Sequence, residues 1–252
     1  MINLKSILLN ATLVATAALP LAAAALFTSA GSAQAAALTG EFSFDGGKSK
    51  TQIGNPFVKS LVTLKKDSLT FTPDSIIQDS NGVKSTPVAV AAQTGSFLGF
   101  NSASIRDIIS FANNTVQNPF LDLGNLPSDG DILPGDDTAS LADGINIFTL
   151  TSSGYQITQT GANITIAVNL LGYFTSATGE ITNGAGSLSF QRNNTTVAQA
   201  ISILDTADGS LANLTFSGST FTTSVPEPAA LLGLGAVGGV MAMSRRRKGV
   251  VQ

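Results

Sequence analysis

The amino-acid sequence predicts an all-β protein. The expected arrangement is an antiparallel β-sandwich, with a jelly-roll or barrel-like arrangement as the alternative and at most one short helix. Short runs rich in β-branched and aromatic residues follow one another between residues 38 and 221. Clusters of Gly, Asn, Asp, Ser and Pro separate these runs about every eight to twelve residues, which is typical of sandwiches and barrels. No repeat with a period of about 20–50 residues is evident, so a solenoid or propeller is not expected.

The predicted strands begin at residues 38–45, where Phe42 and Phe44 lie on one side of an alternating pattern. A hairpin follows, with its turn at Lys65-Lys66-Asp67 between residues 57–64 and 68–72. The remaining predicted strands are residues 88–100, in one or two strands around Gly95, and residues 145–151, 155–159, 164–174, 187–191 and 211–221, with turns at Gly154 and Gly161.

Two segments depart from this pattern. In residues 196–204 apolar side chains recur at the spacing of one helix face, and Thr195 or Thr196 provides an N-cap. We therefore expect a short helix there. Residues 105–111 fit a helix by spacing and a strand by their β-branched content, and we assign them as a strand.

The N-terminus has the three parts of a secretory signal peptide. Lys5 supplies a positive charge, and residues 7–27 form a long apolar stretch rich in Ala and Leu. Ala33 and Ala35 then match the small-x-small pattern that signal peptidase cleaves. This predicts a signal helix that is removed after Ala35. An uncleaved N-terminal anchor is the alternative.

The C-terminus combines an uncharged apolar stretch, residues 229–243, with a basic cluster. As a helix the stretch would be about 22 Å long, short of the hydrocarbon core of about 30 Å. Long basic side chains at its end can extend that reach, so we expect a membrane helix. Basic residues stay on the cytoplasmic side, so the domain that precedes the stretch is expected to face the outside of the membrane. The cluster consists of Arg245, Arg246, Arg247 and Lys248.

The order of these C-terminal features closely resembles the PEP-CTERM sorting signal of exported proteins in Gram-negative bacteria and cyanobacteria. The resemblance covers residues 225–248 and includes Pro226, Glu227 and Pro228. It implies that these three residues are recognised by exosortase, a membrane transpeptidase-like cysteine enzyme. It further implies that the apolar stretch is a transient anchor and that the basic cluster stops transfer.

The preceding domain is also similar to the ectodomains of cyanobacterial PEP-CTERM proteins, through strand-like phrases at residues 38–44, 147–150 and 211–218. The predicted organisation is a signal peptide (1–35), an exported ectodomain (36–224), a sorting and anchor segment (225–248) and a tail (249–252).

Charge is distributed unevenly along the chain. All 16 acidic residues lie between Glu41 and Glu227, whereas five of the 13 basic residues lie in the terminal targeting segments. The exported part therefore carries a net charge of about −8, although the whole chain carries −3. Binding to nucleic acid requires a basic surface, so we do not expect it.

Residue types needed by many enzymes are missing. The chain has no His and no Cys, which excludes a Ser-His-Asp or Cys-His nucleophile, a disulfide framework and a thiolate zinc site. No phosphate-binding loop or dinucleotide fingerprint is present. We expect no enzyme activity and no cofactor. Glu41 and Glu180 remain as carboxylates for acid–base hydrolysis, the least favoured alternative.

A run of aspartates between predicted strands has two interpretations. Aspartate commonly forms turns in surface loops, and Pro127 and Pro134 suit a rigid loop. Dense carboxylates are also the ligands that calcium requires, although the spacing differs from an EF-hand loop. We favour turns and assign no metal site, with calcium as the alternative. The residues are Asp129, Asp131, Asp136, Asp137 and Asp143.

These observations predict an exported protein, anchored transiently in the inner membrane and then located at the cell surface or in the extracellular matrix. Its expected role is structural or adhesive. A glycan-binding module, with or without calcium, is the alternative. The expected partners are signal peptidase and exosortase as processing enzymes, the inner membrane, and exopolysaccharide as a further candidate.

Overall fold

The structure is a computed structural model that describes residues 37–50, 52–73, 77–111 and 115–223. The signal peptide with Ala33 and Ala35, the Pro-Glu-Pro motif, the apolar stretch and the basic cluster all lie outside the described residues. Within the described part, no helix has both the length and the apolar character needed to cross a membrane.

The described residues form fifteen strands, one α-helix (α1, Val197–Leu204) and two short 3-10 helices, Gly95–Gly99 and Ala139–Leu141. The strands are β1 (Glu41–Gly46), β2 (Lys48–Ser49), β3 (Val58–Lys59), β4 (Leu61–Lys65), β5 (Leu69–Thr72), β6 (Ile77–Gln78), β7 (Lys84–Ala91), β8 (Ser102–Ile105), β9 (Gln117–Gly124), β10 (Asp131–Ile132), β11 (Ile147–Thr160), β12 (Asn163–Thr175), β13 (Ile181–Arg192), β14 (Ser210–Leu214) and β15 (Phe216–Thr222).

Eight of these strands close into an antiparallel barrel in the order β1-β15-β13-β12-β11-β9-β8-β7. Pairing of β1 with β7 closes the ring, with Phe44 opposite Val90. The all-β class is therefore confirmed. The barrel corresponds to the barrel-like alternative, and the β-sandwich expected first is not confirmed.

A three-stranded sheet and α1 add to the core of the barrel. The sheet has the order β14-β4-β5, and its β4–β5 hairpin turns where the sequence predicted. The helix is also confirmed, and Thr196 is its N-cap. The Thr196 side chain accepts a hydrogen bond from Gln199 N, and Gln199 Oε1 accepts one from Thr196 N. Ala200 and Leu204 are the buried residues of this helix.

Phenylalanine rings fill much of the core where glycines leave room. Phe148 and Phe174 pack with ring centroids 4.8 Å apart, and Phe97 lies 5.0 Å from Phe174. A Cβ atom on Gly218 would lie 2.3 Å from the Phe44 ring, and one on Gly184 would lie 2.7 Å from the Phe174 ring. These glycines therefore admit the rings that close the core.

Some strand boundaries differ from the prediction. The strands predicted at residues 145–151 and 155–159 form one continuous strand, β11, which begins at Ile147, because Gly154 pairs with Asn169 instead of forming a turn. In residues 105–111 the strand β8 ends at Ile105, and only a bridge between Ile108 and Leu69 continues the pairing. The segment after Gly95 forms a 3-10 helix.

Candidate functional site

The most distinctive surface of the described residues is the outside of four neighbouring strands, β15, β13, β12 and β11. These strands contain a single charged residue, Arg192, at the last position of β13. We call their outward side the neutral face. A surface without charges is unusual on a domain with this excess of acidic residues, because exposed positions are commonly charged.

The strand register places small polar side chains of the neutral face in rows. One row crosses from Gly154 through Asn169 and Ser187 to Ser219. Ser187 Oγ and Ser219 Oγ lie 3.5 Å apart within it. The next row contains Gln156, Ala167, Ser189 and Ser217. Because neighbouring strands lie about 4.8 Å apart, each row presents closely spaced hydrogen-bonding groups.

Large apolar side chains gather at one end of the neutral face. Leu171 lies opposite Ala185, which in turn lies opposite Phe221, and Tyr173 lies opposite Asn183. Leu171 is 55% exposed, Ile181 63% and Phe221 45%, while Tyr173 is partly buried. We call Leu171, Tyr173, Ile181 and Phe221 the apolar patch. Exposed apolar clusters commonly mark interaction sites.

The chemistry available on the neutral face is limited to hydrogen bonding and apolar burial. Its rows hold hydroxyl and amide groups, which donate and accept without changing charge. The apolar patch supplies surface that gains free energy when water is removed. The face is therefore suited to contact with another surface.

The acidic run forms turns. Asp137 Oδ1 accepts a hydrogen bond from Ala139 N, and Asp143 Oδ1 accepts one from Ile145 N, each 2.8–2.9 Å long. Asp136 Oδ2 accepts a hydrogen bond from Leu133 N. These are the side chain–backbone bonds that favour aspartate in turns. Among the described residues, no three acidic side chains come together as metal ligands would.

The other two aspartates of the run also lie apart from a shared centre. Asp131 is on β10, and its carboxylate lies 3.7 Å from Lys48 Nζ. Asp129 is exposed in the turn between Ser128 and Asp131, where Asp131 N donates to Ser128 O.

Sequence reasoning missed the most perturbed carboxyl group among the described residues, Asp122 on β9. Only 2% of it is exposed. Its Oδ2 accepts a hydrogen bond from Gly144 N at 2.9 Å, and its Oδ1 has no hydrogen-bond partner. Burial raises the pKa of Asp122 to about 7, and the nearby Asp143 adds to the increase. The turn at Asp143 and Gly144 therefore lies beside a carboxyl group that is largely protonated below neutral pH.

The two carboxylates considered for hydrolysis are both exposed. Glu41 begins β1, and Glu180 precedes β13. A shallow cavity of about 410 Å³ beside Glu41 is otherwise lined by Gly40 and by threonines, and Glu180 does not contribute to it. The cavity therefore does not pair the two carboxylates.

A second concavity, of about 310 Å³, lies between α1 and β11. Its apolar wall includes Tyr155, Ile157 and Ile201. At its rim Lys66 Nζ lies 2.8 Å from Asp205 Oδ1, and this hydrogen bond raises the pKa of Lys66. The Tyr155 hydroxyl donates to Lys66 O at 3.1 Å, and burial raises the pKa of Tyr155. The ionised groups are therefore paired at the rim, away from the apolar wall.

Fold and surface together define an eight-stranded antiparallel β-barrel protein with a neutral outer face. No protein-family model, no curated protein and no solved structure matches the chain.

Proposed function

We propose that this chain is an exported, exosortase-processed protein of the cell surface or extracellular matrix, with a structural or adhesive role. The observation that carries the role is the neutral face with its apolar patch, because it is a large surface suited to contact. The sites described above offer no assembled acid–base pair or nucleophile to compete with this interpretation.

The export route in this proposal rests on the two ends of the sequence. Ala33 and Ala35 mark cleavage by signal peptidase, and Pro226, Glu227 and Pro228 mark recognition by exosortase. A signal helix, a transient membrane helix and a final location outside the inner membrane belong to the same proposal. The absence of cysteine is compatible with that location, since a barrel with a continuous core needs no disulfide.

The route is tested by expressing the full chain in a Gram-negative host with and without exosortase. We expect a shortened product at the cell surface in the first strain and an unprocessed product in the inner membrane of the second. A Glu227→Gln variant should remain unprocessed in the inner membrane even in the strain that contains exosortase. Identical size and location in both strains would contradict exosortase processing.

The role is tested separately, by deleting the gene from its own host. A structural or adhesive protein should leave weaker cell–cell or cell–matrix cohesion, and the native chain should restore it. Unchanged cohesion in a strain that normally displays the protein would contradict the role while leaving the export route intact.

A glycan-binding function is the second candidate, and Tyr173 is the observation that favours it. Tyr173 lies directly opposite Asn183 in the strand register, and aromatic surface next to hydrogen-bonding groups suits sugar rings. A glycan array probed with the exported protein tests it. Specific retention that Tyr173→Ala abolishes would favour this function over a purely structural one.

A further inference from the structure

We propose that the neutral face binds a second copy of this chain, face to face, with the apolar patch inside the interface. This inference rests on the proposed structural or adhesive role and names the partner for it. A symmetric pair is the simplest arrangement, because one surface then contacts the same surface on the other copy.

Charge favours this location for self-association. Two copies of a domain with a net charge of about −8 repel each other, and the repulsion is strongest where acidic side chains meet. The strands of the neutral face carry only Arg192, at one end. Glu41 and Asp45 on β1 lie opposite Phe221 and Ser217 at one margin of the face, and Glu180 precedes Ile181. Copies that meet through this face therefore keep most of their acidic groups outside the contact, with these three at its margin.

The barrel itself favours contact through faces instead of edges. Each of its eight strands has a neighbour on both sides, but β11 pairs with β9 only between residues 147 and 150. The rest of β11 pairs with β12 alone, and α1 lies beside this stretch, where Val197 N donates to Gln159 Oε1. The described strands outside the barrel lie in the sheets β14-β4-β5 and β10-β2-β3 and at β6, and they have two to five residues each. Such short edges offer few hydrogen bonds for strand addition.

The size of the neutral face is adequate for a modest interface. The strands β11, β12 and β13 have 14, 13 and 12 residues. Three such strands present an area of roughly 40 Å by 14 Å, or about 560 Å² per copy. Two copies would then bury about 1,100 Å², which exceeds the roughly 1,000 Å² expected of a biological interface but is less than most stable complexes bury, so we expect a reversible association.

The composition of the patch separates a protein partner from a sugar or a lipid surface. Tyr173 and Phe221 offer rings on which a sugar can stack, but Leu171 and Ile181 are aliphatic and more exposed, and a sugar bound to the rings would leave them in contact with water. A lipid surface would bury the apolar patch but would not require the rows of serine and asparagine beyond it. A second copy uses both features, because protein interfaces combine buried apolar side chains with neighbouring hydrogen-bonding groups.

The test uses the absence of cysteine in the chain. The full-length Ser219→Cys variant has its only thiol on the neutral face, and a bismaleimide crosslinker added to displaying cells then reports close approach of two copies. We expect a covalent dimer. Ser202→Cys, with its thiol on the exposed side of α1, is the matched control and should remain largely monomeric.

A second pair of variants tests the patch. Adding Leu171→Lys to Ser219→Cys places like charges against each other in the interface, so we expect a loss of dimer of about tenfold or more. Adding Ile109→Lys instead changes an exposed isoleucine outside the neutral face and should leave the dimer unchanged. Cooperative unfolding of each variant verifies that the barrel is intact.

The outcomes distinguish this inference from the proposed function. Crosslinking no greater than for Ser202→Cys, in cells that display the protein, would overturn the self-association and leave the surface role standing. Persistence of the dimer with Leu171→Lys would also overturn the assigned interface. If Leu171→Lys abolished the binding of a saccharide and left the dimer unchanged, the partner of the face would be a glycan. If the substitution released the protein from membranes and left the dimer unchanged, the partner would be a lipid surface. Either result would make the inference wrong. Dimers formed by a protein that never reaches the surface would support the interface and contradict the proposed function.

Discussion

Replacing Asp122 by Asn is expected to remove a pH dependence from the stability of the barrel. Asp122 is 2% exposed on β9, and one of its carboxyl oxygens has no hydrogen-bond partner. Burial, followed by the charge of Asp143, raises its pKa, whereas the hydrogen bond from Gly144 N and the charge of Arg106 lower it. Burial dominates, so the folded protein holds a proton that the unfolded chain releases.

The magnitude follows from the two pKa values. The group ionises near 3.8 when unfolded and near 7 when folded. Between these pH values the folded state binds one proton more than the unfolded state, so the free energy of unfolding falls by about 1.4 kcal/mol per pH unit. The stabilising contribution is complete below about pH 4 and is lost by about pH 7, a total of about 4 kcal/mol. An asparagine stays neutral throughout and still accepts the hydrogen bond from Gly144.

Urea denaturation at several pH values measures this contribution. The native protein and Asp122→Asn should have similar free energies of unfolding near pH 4, and the variant should become more stable by up to about 4 kcal/mol above neutral pH. The chain has no His and no Cys, so no other side chain has an ordinary pKa between about 5 and 8. Asp208→Asn, an exposed control, should follow the native curve. If the free energies of unfolding of the native protein and of Asp122→Asn changed with pH in the same way, the reasoning would be refuted.

Three further substitutions test the core, the helix and export. Gly218→Val should lower the free energy of unfolding, measured by urea denaturation, by about 1–3 kcal/mol, because the new Cβ would meet the Phe44 ring. Gly154→Ala is the control and should have little effect in the same assay, because the space around Gly154 is open. Thr196→Ala removes the N-cap of α1 and should cost about 1 kcal/mol in that assay, and no loss would argue against the capping box. Ala35→Arg should block signal cleavage, so that immunoblots show a larger precursor; a product of native size would place the cleavage elsewhere.

The sequence predicted the strands and the helix better than it predicted their partners. Alternating side chains identified β1, and helical spacing with an N-cap identified α1, because both patterns are local. Closure of the barrel depends on pairing between β1 and β7 and between β1 and β15, across long stretches of sequence. No local pattern specifies those pairings. The turn predicted at Gly154 was wrong, because this glycine occupies an outward position within a strand and has open space around it.

The candidate site was harder to predict for the same reason. The scarcity of charge in residues 147–191, where Glu180 is the only charged residue, is visible in the sequence, but the rows of the neutral face exist only once the register is known. Leu171 and Phe221 are 50 positions apart and become neighbours through Ala185 on β13. Asp122 lies between Leu121 and Leu123 in β9, a strand that was not predicted, and no local pattern shows that the following loop would cover its side chain.

The two sides of the barrel differ in a way that the fold alone does not require. Outside β8, Ser104 Oγ donates to Leu141 O and Ser102 Oγ accepts from Gly130 N, so the loop of residues 125–145 covers these small polar side chains. Small residues are needed there because the chain packs on them. Outside β12, β13 and β15 the described chain places no such cover over exposed positions such as Asn169 and Ser219, and charged side chains would fit there without disturbing the core. Charged residues at such positions would also improve solubility. Their absence is therefore better explained by a surface that another molecule covers than by the requirements of the barrel.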